Sequence, residues 1–221
     1  MTRDAESTRR RIYSVALTLF RERGYAKTTM RQIAKEAGLS LGAAYHHFDS
    51  KQAIVGAYYA QQTEAHEAAA RAAMKEAKDL RERLGFVMHT ALDVRGADRE
   101  LMRELAPLVV SAEETLSAFS DESESLRARS IGVFREAVDD PAVPEDVREV
   151  FALALWGLQM GLLLYFSRDE SPRQRKTRAL VDGSLDLAVQ VVRALALPML
   201  APMRAQLTRT LQDADLLPAS R

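Results

Sequence analysis

The sequence predicts an all-α fold, and three features of the chain indicate it. Apolar residues recur three and four positions apart in most long segments, which is the spacing of one face of a helix. These segments begin at patterns that cap helices and end near glycine or proline. Residues 50–78 are rich in alanine and contain no proline, so they predict a single long helix.

Composition limits the classes of protein that the chain can form. The 221 residues are 47% hydrophobic, enough for one large domain or for a small domain and a medium one. There is no cysteine, which excludes disulfides and thiolate metal sites and suits a reducing compartment. The charged stretch MTRDAESTRRR has no apolar segment of the kind found in a signal peptide. We therefore expect a cytoplasmic protein.

Charge is distributed unevenly along the chain. Residues 1–60 carry 10 Lys or Arg against 5 Asp or Glu, so their net charge is +5, and the remainder carries −5. A basic part joined to an acidic body is typical of a phosphate-binding module attached to a regulatory one. A solvated surface can produce the same bias, so the asymmetry needs a motif to support it.

The first predicted helix runs from Glu6 or Ser7 to about Arg23. Its apolar residues have the spacing of a core stripe, and they are Ile12, Val15, Ala16, Leu19 and Phe20. Residues 9–11 are three consecutive arginines that could reach phosphates. An exposed run of charges usually makes no specific contact, so this run alone does not predict a site.

Residues 28–51 predict two short helices joined by a tight turn and followed by the start of a third. Thr29 and Gln32 form a capping-box pattern, which starts the first of them at Met30. Gly38 stands where a left-handed cap is expected at the end of this helix.

The second short helix is the part predicted to meet a partner. Ser40 can cap it, and Ala44 with Phe48 gives it one narrow inward face. Its other face is free and combines small residues with hydrogen-bonding aromatic ones. Such a helix-turn-helix lays its second helix in the major groove of DNA, with phosphate-binding side chains on either side.

Candidate DNA contacts follow from this geometry. We expect base contacts from Arg31, Ser40, Leu41, Gly42 and Ala43. We expect phosphate contacts from Thr29, Tyr45, His47 and Lys51, and His46 could serve either purpose. The alternative is that the aromatic side chains on this helix only pack the small head.

At these residues the chain resembles the TetR family of transcriptional regulators. The resemblance covers about Arg11 to Tyr58 and rests on Phe20, Gly24, Tyr25, Thr28, Thr29, Ile33, Ala34, Ala37, Gly38, Leu39, Ser40, Gly42, Tyr45, His47, Phe48 and Lys51. It implies an all-helical, dimeric repressor whose first three helices bind an operator and whose larger C-terminal domain binds a small-molecule inducer. Ala44 departs from the family pattern, in which a larger aliphatic residue is more common.

Two domains are expected on this basis. We predict an N-terminal three-helix helix-turn-helix DNA-binding domain at residues 1–52 and a larger helical C-terminal ligand-binding and dimerisation domain at residues 53–221. The long helix of residues 50–78 would close the core of the first and run into the second. It could transmit a change between them or merely connect them.

The body begins with two predicted helices, Leu80 to about Val94 and about Arg99 to Ala106, the second ending at Pro107. Two prolines within residues 139–144 mark a break. The stretch Val147–Phe166 that follows is the most apolar of the chain, and its length is that of a membrane span, about 20 residues. Three polar residues interrupt it, so we expect a buried helix and no membrane partner.

A homodimer is predicted from the last two long helices. Ser171 and Pro172 begin a helix that extends to about Ala196, and with the preceding one it offers more apolar surface than one core needs. The expected interface residues are Trp156, Gly157, Met160, Gly161, Leu164, Leu180, Gly183, Ser184, Leu187, Ala188 and Val191. The tail, residues 202–217, predicts one helix whose inner face is Met203, Leu207 and Leu211, and residues 198–221 have no assigned role.

The effector site is predicted from residues that could provide an apolar wall with a few polar groups. They are His66, Met88, His89, Met102, Phe119, Phe134, Trp156, Gln159 and Tyr165. Each of them is individually more typical of a core than of a ligand contact. The expected ligand is a small organic molecule of modest polarity.

No catalytic, metal or cofactor site is predicted. His46 and His47 are neighbours on a helix, so their side chains point about 100° apart, and no acidic cluster joins them. A phosphate-binding glycine loop and a nucleophile elbow are both missing from the sequence. The sequence therefore predicts a non-enzymatic, TetR-like repressor that binds a palindromic DNA operator as a homodimer and is released by a small effector. The alternative is a helical ligand carrier or interaction protein without sequence-specific DNA binding.

Overall fold

The computed structural model describes residues 3–111, 116–118 and 120–217, and all regular secondary structure within these ranges is helical. Its α-helices are α1 (Arg3–Arg23), α2 (Met30–Glu36), α3 (Leu41–His47), α4 (Lys51–Met74), α5 (Leu80–Arg95), α6 (Arg99–Val110), α7 (Glu124–Val138), α8 (Arg148–Phe166), α9 (Arg175–Leu195) and α10 (Ala201–Asp213). Short 3-10 helices lie at Gly96–Asp98, Glu145–Val147, Pro172–Gln174 and Pro198–Leu200. The predicted all-α fold is confirmed.

Contacts divide the chain into two compact units. The first comprises Met1–Gln62 and Asp98–Leu126, and the second comprises Thr63–Ala97 and Arg127–Arg221. Helix α4 contributes its first half to the first unit and its second half to the second. The predicted end of the DNA-binding domain at residue 52 concerns function and not packing, and it stays a prediction.

The first unit is built around one apolar cluster. Buried residues of α1, α2, α3 and the first half of α4 meet there, including Ile12, Phe20, Ile33 and Tyr58. Helix α6 adds Leu101, Leu105 and Leu108 to the same cluster. The sequence did not predict this contribution, because Leu101 lies 43 residues after Tyr58, the last residue of α4 in the cluster.

The local signals of the helix-turn-helix form as predicted. The Thr29 hydroxyl accepts from the Gln32 backbone N–H at 3.2 Å, and the Thr29 N–H donates to the Gln32 side-chain oxygen at 2.8 Å, completing the capping box. Gly38 has a φ of +67°, the left-handed conformation expected of a C-terminal cap. The Ser40 hydroxyl accepts from the Ala43 N–H at 3.1 Å and so caps α3.

Four predicted helix boundaries were wrong. Helix α1 begins at Arg3, before Glu6, and α4 ends at Met74, before residue 78. Helix α6 does not end at Pro107 but continues to Val110. A proline inside a helix removes one hydrogen bond, and here Leu105 and Leu108, on either side of it, are held in the core cluster of the first unit. Helix α9 does not start as a regular helix at Pro172, because residues 173 and 174 have φ near +50° and the α-helix begins only at Arg175.

The second unit packs α5 and α8 against α9, and α10 against α8. Residues buried on α9 are Thr177, Val181, Leu185, Val189 and Val192. The predicted inner face of the tail helix was wrong, since Met203 and Leu207 are exposed. Arg204 faces inward instead, and its guanidinium lies 2.8 Å from an Asp146 carboxylate oxygen.

The segment Glu145–Phe166 is long and apolar enough to cross a membrane by length and composition, with a mean hydropathy of 1.6. A helix in a protein core can be equally long and apolar, and 44% of this apolar stretch is buried inside the protein. The helices Pro172–Leu195 and Pro198–Asp213 reach this length and composition only when taken together, and they are bent by 91° relative to each other. Since α8 packs on α5, α9 and α10 within the second unit, its apolar composition has an explanation in packing.

Candidate nucleic-acid interface

Helix α3 buries very little of its own surface. Of its seven residues only Ala44 is buried, and Phe48, which follows the helix, is buried as well. This is the inward face that the sequence predicted. The remaining residues are exposed or half-exposed, and they are Leu41, Gly42, Ala43, Tyr45, His46 and His47. A surface of this kind is accessible to a DNA groove.

The predicted DNA contacts outside α3 are accessible too, except that Lys51 is only partly so. Thr29, Arg31 and Ser40 are exposed. Lys51 is half-buried, because its ammonium donates to the Tyr25 carbonyl at 2.8 Å and lies 4.3 Å from the centre of the Tyr25 ring. Burial lowers the pKa of Lys51. A phosphate contact by Lys51 would therefore compete with its contact to Tyr25.

Arg9 makes a contact that sequence reasoning missed. A guanidinium nitrogen of Arg9 donates to the His47 carbonyl at 3.1 Å, and its central carbon lies 4.0 Å from the centre of the Phe48 ring. Arg9 precedes the buried Ile12 and Ala16 by three and seven positions, so it continues their stripe on α1. This periodicity was visible in the sequence.

Polar contacts at the surface of the first unit also join helices that are distant in sequence. The Tyr13 hydroxyl donates to the Gln61 side-chain oxygen at 2.6 Å, which links α1 to α4. Arg21 donates to the Asp98 carboxylate at 2.6 Å, which links α1 to the start of α6. Burial, followed by the nearby Asp98 carboxylate, raises the pKa of Tyr13 to about 12, so this hydroxyl stays protonated.

The candidate effector residues do not form a single set. Met88, Phe134 and Trp156 are buried in the second unit, and His89 is half-buried with a ring nitrogen 3.0 Å from the Asp182 carboxylate. Met102 lies on α6 in the first unit, and Tyr165 is exposed on the outward side of α8. Phe119 lies outside the described residues.

Two buried polar side chains of the second unit stand apart from the apolar candidates. Gln159 is only 2% exposed in the middle of the buried stripe of α8, and its side-chain oxygen has no hydrogen-bond partner among the described residues. His66 on α4 is buried, and its Nε2 lies 2.9 Å from the Val87 carbonyl oxygen. Burial lowers the pKa of His66 to about 4, helped by the positive charge of Arg95. His66 is therefore neutral near pH 7.

The predicted dimer residues lie mainly on outward stripes. On α8 these are Gly157, Gly161 and Leu164, and on α9 they are Leu180, Gly183, Leu187 and Val191. A Cβ added at any of the three glycines would meet no described atom within 4 Å, so each opens onto free space beside the protomer. Met160, Ser184 and Ala188 are half-buried at the edges of these stripes. Trp156 was predicted both for the dimer interface and for the effector site. It is buried within the protomer and belongs to the inward stripe of α8.

Comparison with known proteins agrees with the geometry of the first unit. Residues 12–58 match the family model described as bacterial regulatory proteins, tetR family. Residues 83–206 match a second model, described as the tetracyclin repressor-like C-terminal domain.

Among the described residues, no group of three or more His, Cys, Asp or Glu side chains is placed to hold a metal ion.

Similarity to individual curated proteins covers only part of the chain, whereas similar structures superpose over most of it. The transcriptional repressor KstR2 of Rhodococcus jostii is 51% identical over 47 residues, which are 21% of this chain and 23% of the relative. The fatty acid degradation regulator FadR of Bacillus halodurans superposes over 82% of this chain and 94% of its own, with a TM-score of 0.65 and 17% identity. FadR of Bacillus subtilis, solved in complex with stearoyl-CoA, covers 81% and 97% with a TM-score of 0.62 and 16% identity. The chain thus matches under half of the length of its curated relatives, and the two structures show the fold alone.

The buried His66 gives the second unit a specific pH dependence. Its pKa is about 4 in the folded protein against 6.5 for an ordinary histidine, so as pH falls below 6.5 the unfolded chain takes up a proton before the folded one does. The free energy of unfolding should therefore decrease by roughly 3 kcal/mol as pH falls through this interval. Chemical denaturation at a series of pH values measures it.

His66→Gln is the matched variant, since glutamine can still donate to the Val87 carbonyl but does not titrate. The variant should lose this part of the pH dependence and keep the contribution of the carboxylates. Equal pH dependence in the two proteins would contradict a buried, neutral His66.

Proposed function

Since the chain belongs to the TetR family of bacterial regulatory proteins, we propose that it binds a palindromic operator as a homodimer in the cytoplasm and leaves it when a small organic effector binds. Membership of this family gives the general function of the protein. The protein is a helix-turn-helix transcriptional regulator, and the family is not one of enzymes. The operator symmetry, the effector and the residue contacts are the proposed part.

One observation carries the DNA-binding proposal, namely that α3 is capped, short and open on every side but one. Its first turn contains Gly42 and Ala43, and a Cβ added at Gly42 would meet no described atom within 4 Å. Small side chains let a helix backbone approach base edges closely, while Tyr45 and the exposed Thr29 can bind the phosphates. Arg31 on α2 is exposed and suits a guanine edge.

The dimer is proposed from the unsatisfied apolar surface of α8 and α9. Leu180, Leu187 and Val191 are large apolar side chains at helical spacing, and all are exposed in the protomer. The glycines at 157 and 161 leave a groove of backbone on α8. Pairing these stripes about a two-fold axis would bury both and would give two DNA-binding heads for a palindrome.

The effector site is proposed in the second unit, near the inward stripe of α8. An amide oxygen without a partner in a buried position costs free energy, and such costs are typical of functional sites. His66 is neutral, and the buried Glu67 is paired with Arg129 at 2.6 Å, so neither residue offers an unpaired charge to an ionic ligand group. An apolar molecule with one or two polar groups suits these surroundings, and the acyl chain of the stearoyl-CoA bound by the similar FadR gives a first probe.

The base contact of Arg31 can be tested by selection. Random duplexes bound by the purified protein should yield a palindrome, and Arg31→Ala should relax one symmetric pair of positions, because a bidentate contact discriminates by about 1–3 kcal/mol. Selection with sequencing measures both. Arg103→Ala, an exposed arginine of the same unit, is the control and should leave the motif unchanged. A motif without two-fold symmetry would contradict the proposed dimer on DNA.

The dimer interface is tested by Leu187→Arg. Leu187 is 61% exposed in the protomer, so an arginine is tolerated there by the fold, but in a two-fold interface it would be buried beside a like charge. The mass in solution should halve, and operator affinity should fall by at least tenfold, because only one head then binds. Val110→Arg, at a residue that is 62% exposed on α6, is the matched control. An unchanged mass for Leu187→Arg would exclude this surface.

The effector site is tested by Gln159→Leu. Removing an amide whose oxygen has no partner should raise the free energy of unfolding of the ligand-free protein by about 1 kcal/mol or more, whereas Gln206→Leu on the exposed side of α10 should not. Thermal or chemical denaturation measures this difference. A destabilised Gln159→Leu variant would contradict the assignment.

Release of DNA by an effector is tested on the complex of the wild-type protein with its operator. Stearoyl-CoA should release the DNA at concentrations at which coenzyme A alone does not, as measured by fluorescence anisotropy of a labelled duplex. Release by coenzyme A alone would place the recognition on the nucleotide and not on the acyl chain.

A further inference from the structure

We propose that Arg9 is a positioning residue for DNA recognition, which holds the C-terminal end of α3 against α1 and so fixes the angle at which α3 enters the operator. The inference rests on the operator binding proposed above. It assigns to Arg9 a role different from a phosphate contact, which is the role that its place in a run of arginines suggests.

The first observation is the contact between Arg9 and the helix end. The last four carbonyls of any helix lack a partner within it, and the His47 carbonyl is one of them. Arg9 donates to this oxygen at 3.1 Å across 38 residues of sequence. Its positive charge therefore lies at the negative end of the α3 dipole, where a cation is favourable.

The second observation is the stacking on Phe48. The guanidinium carbon lies 4.0 Å from the ring centre, within the range of a cation–π contact. Phe48 is buried in the core cluster of the first unit, so its ring is a fixed surface. Arg9 of α1 thus contacts the end of α3 twice, at its last carbonyl and at the buried ring that follows it.

The third observation is the direction of Arg9 on α1. Arg9 lies on the same stripe as Ile12 and Ala16, both fully buried, and is half-buried itself. Arg10 and Arg11 lie off this stripe and are exposed. Within this run the buried stripe therefore turns Arg9 toward α3, while its two neighbours remain in solvent.

Charge alone does not explain the contact, and this makes the role testable. Arginine offers a planar group that stacks on a ring while donating in its own plane, whereas lysine offers a compact charge that binds a phosphate equally well. A phosphate ligand at this position would tolerate lysine. A positioning residue that stacks on a ring while donating in the plane of its guanidinium would not.

The experiment compares wild type, Arg9→Lys and the control Arg23→Lys, which makes the same change at an exposed residue of the same helix. Affinity is measured for the selected operator and for a scrambled duplex over a range of salt concentrations. For Arg9→Lys, we expect operator affinity to fall about tenfold, the typical effect of losing a hydrogen bond to a charged group. Affinity for the scrambled duplex and the slope of log affinity against log salt should stay unchanged, since no phosphate contact is lost.

A double-mutant cycle separates positioning from general stability. Phe48→Leu removes the ring, so adding Arg9→Lys to it should cost much less operator affinity than in the wild-type background. Denaturation midpoints measured in parallel identify a purely structural role, in which Arg9→Lys would unfold earlier yet bind the operator normally when folded. That outcome would overturn the proposal.

The remaining outcomes are equally decisive. Normal operator binding by Arg9→Lys overturns the positioning role, and so does a loss shared equally by the operator and the scrambled duplex. If the wild-type protein selects no duplex, operator binding itself fails and the role of Arg9 fails with it. The two failures are distinguished by whether wild type enriches a motif before any variant is made.

Discussion

A helix of seven residues does not keep its shape alone, and the proposed DNA contacts of this protein depend on one. Nucleation fixes several residues for a single hydrogen bond, so isolated helices shorter than about 12 residues are marginal in water. Helix α3 buries only Ala44 of its own residues. Its geometry is therefore set by groups at its ends and in its neighbours: Ser40 at its start, Phe48 in the core after it, and the guanidinium of Arg9 at its last carbonyl.

The division between local and distant groups also explains what could be predicted from the sequence. The capping box at Thr29 and the left-handed Gly38 depend on residues within one turn of each other, and both were predicted correctly. The contact between Arg9 and the end of α3 joins residues 38 positions apart, and no spacing rule encodes it. The packing of α6 in the first unit was not predicted for the same reason. The predicted helix end at Pro107 was wrong because tertiary packing of α6 outweighed the local effect of the proline.

In the second unit the sequence indicated apolar surface correctly but could not divide it into faces. Helix α9 has one buried stripe, which includes Val181 and Leu185, and a second stripe, which includes Leu180 and Leu187, that is exposed in the protomer. Periodicity reveals both and does not say which meets the core, because either side of such a helix satisfies the pattern. The structure resolves this for Trp156, whose burial assigns it to the inside of the protomer and away from the exposed stripe of α8.

Helix α4 runs through both units, and its two halves bury different kinds of side chain. Its first half buries apolar side chains such as Ile54 and Tyr58, whereas its second half buries, besides Ala70, the polar Thr63, His66 and Glu67. Polar groups hold a helix through hydrogen bonds of fixed direction, and a bound molecule that competes for one of them would favour a different packing of this half. The proposed effector would then act only to the extent that it binds one arrangement of this half more tightly than the other. The coupling depends on this difference in affinity.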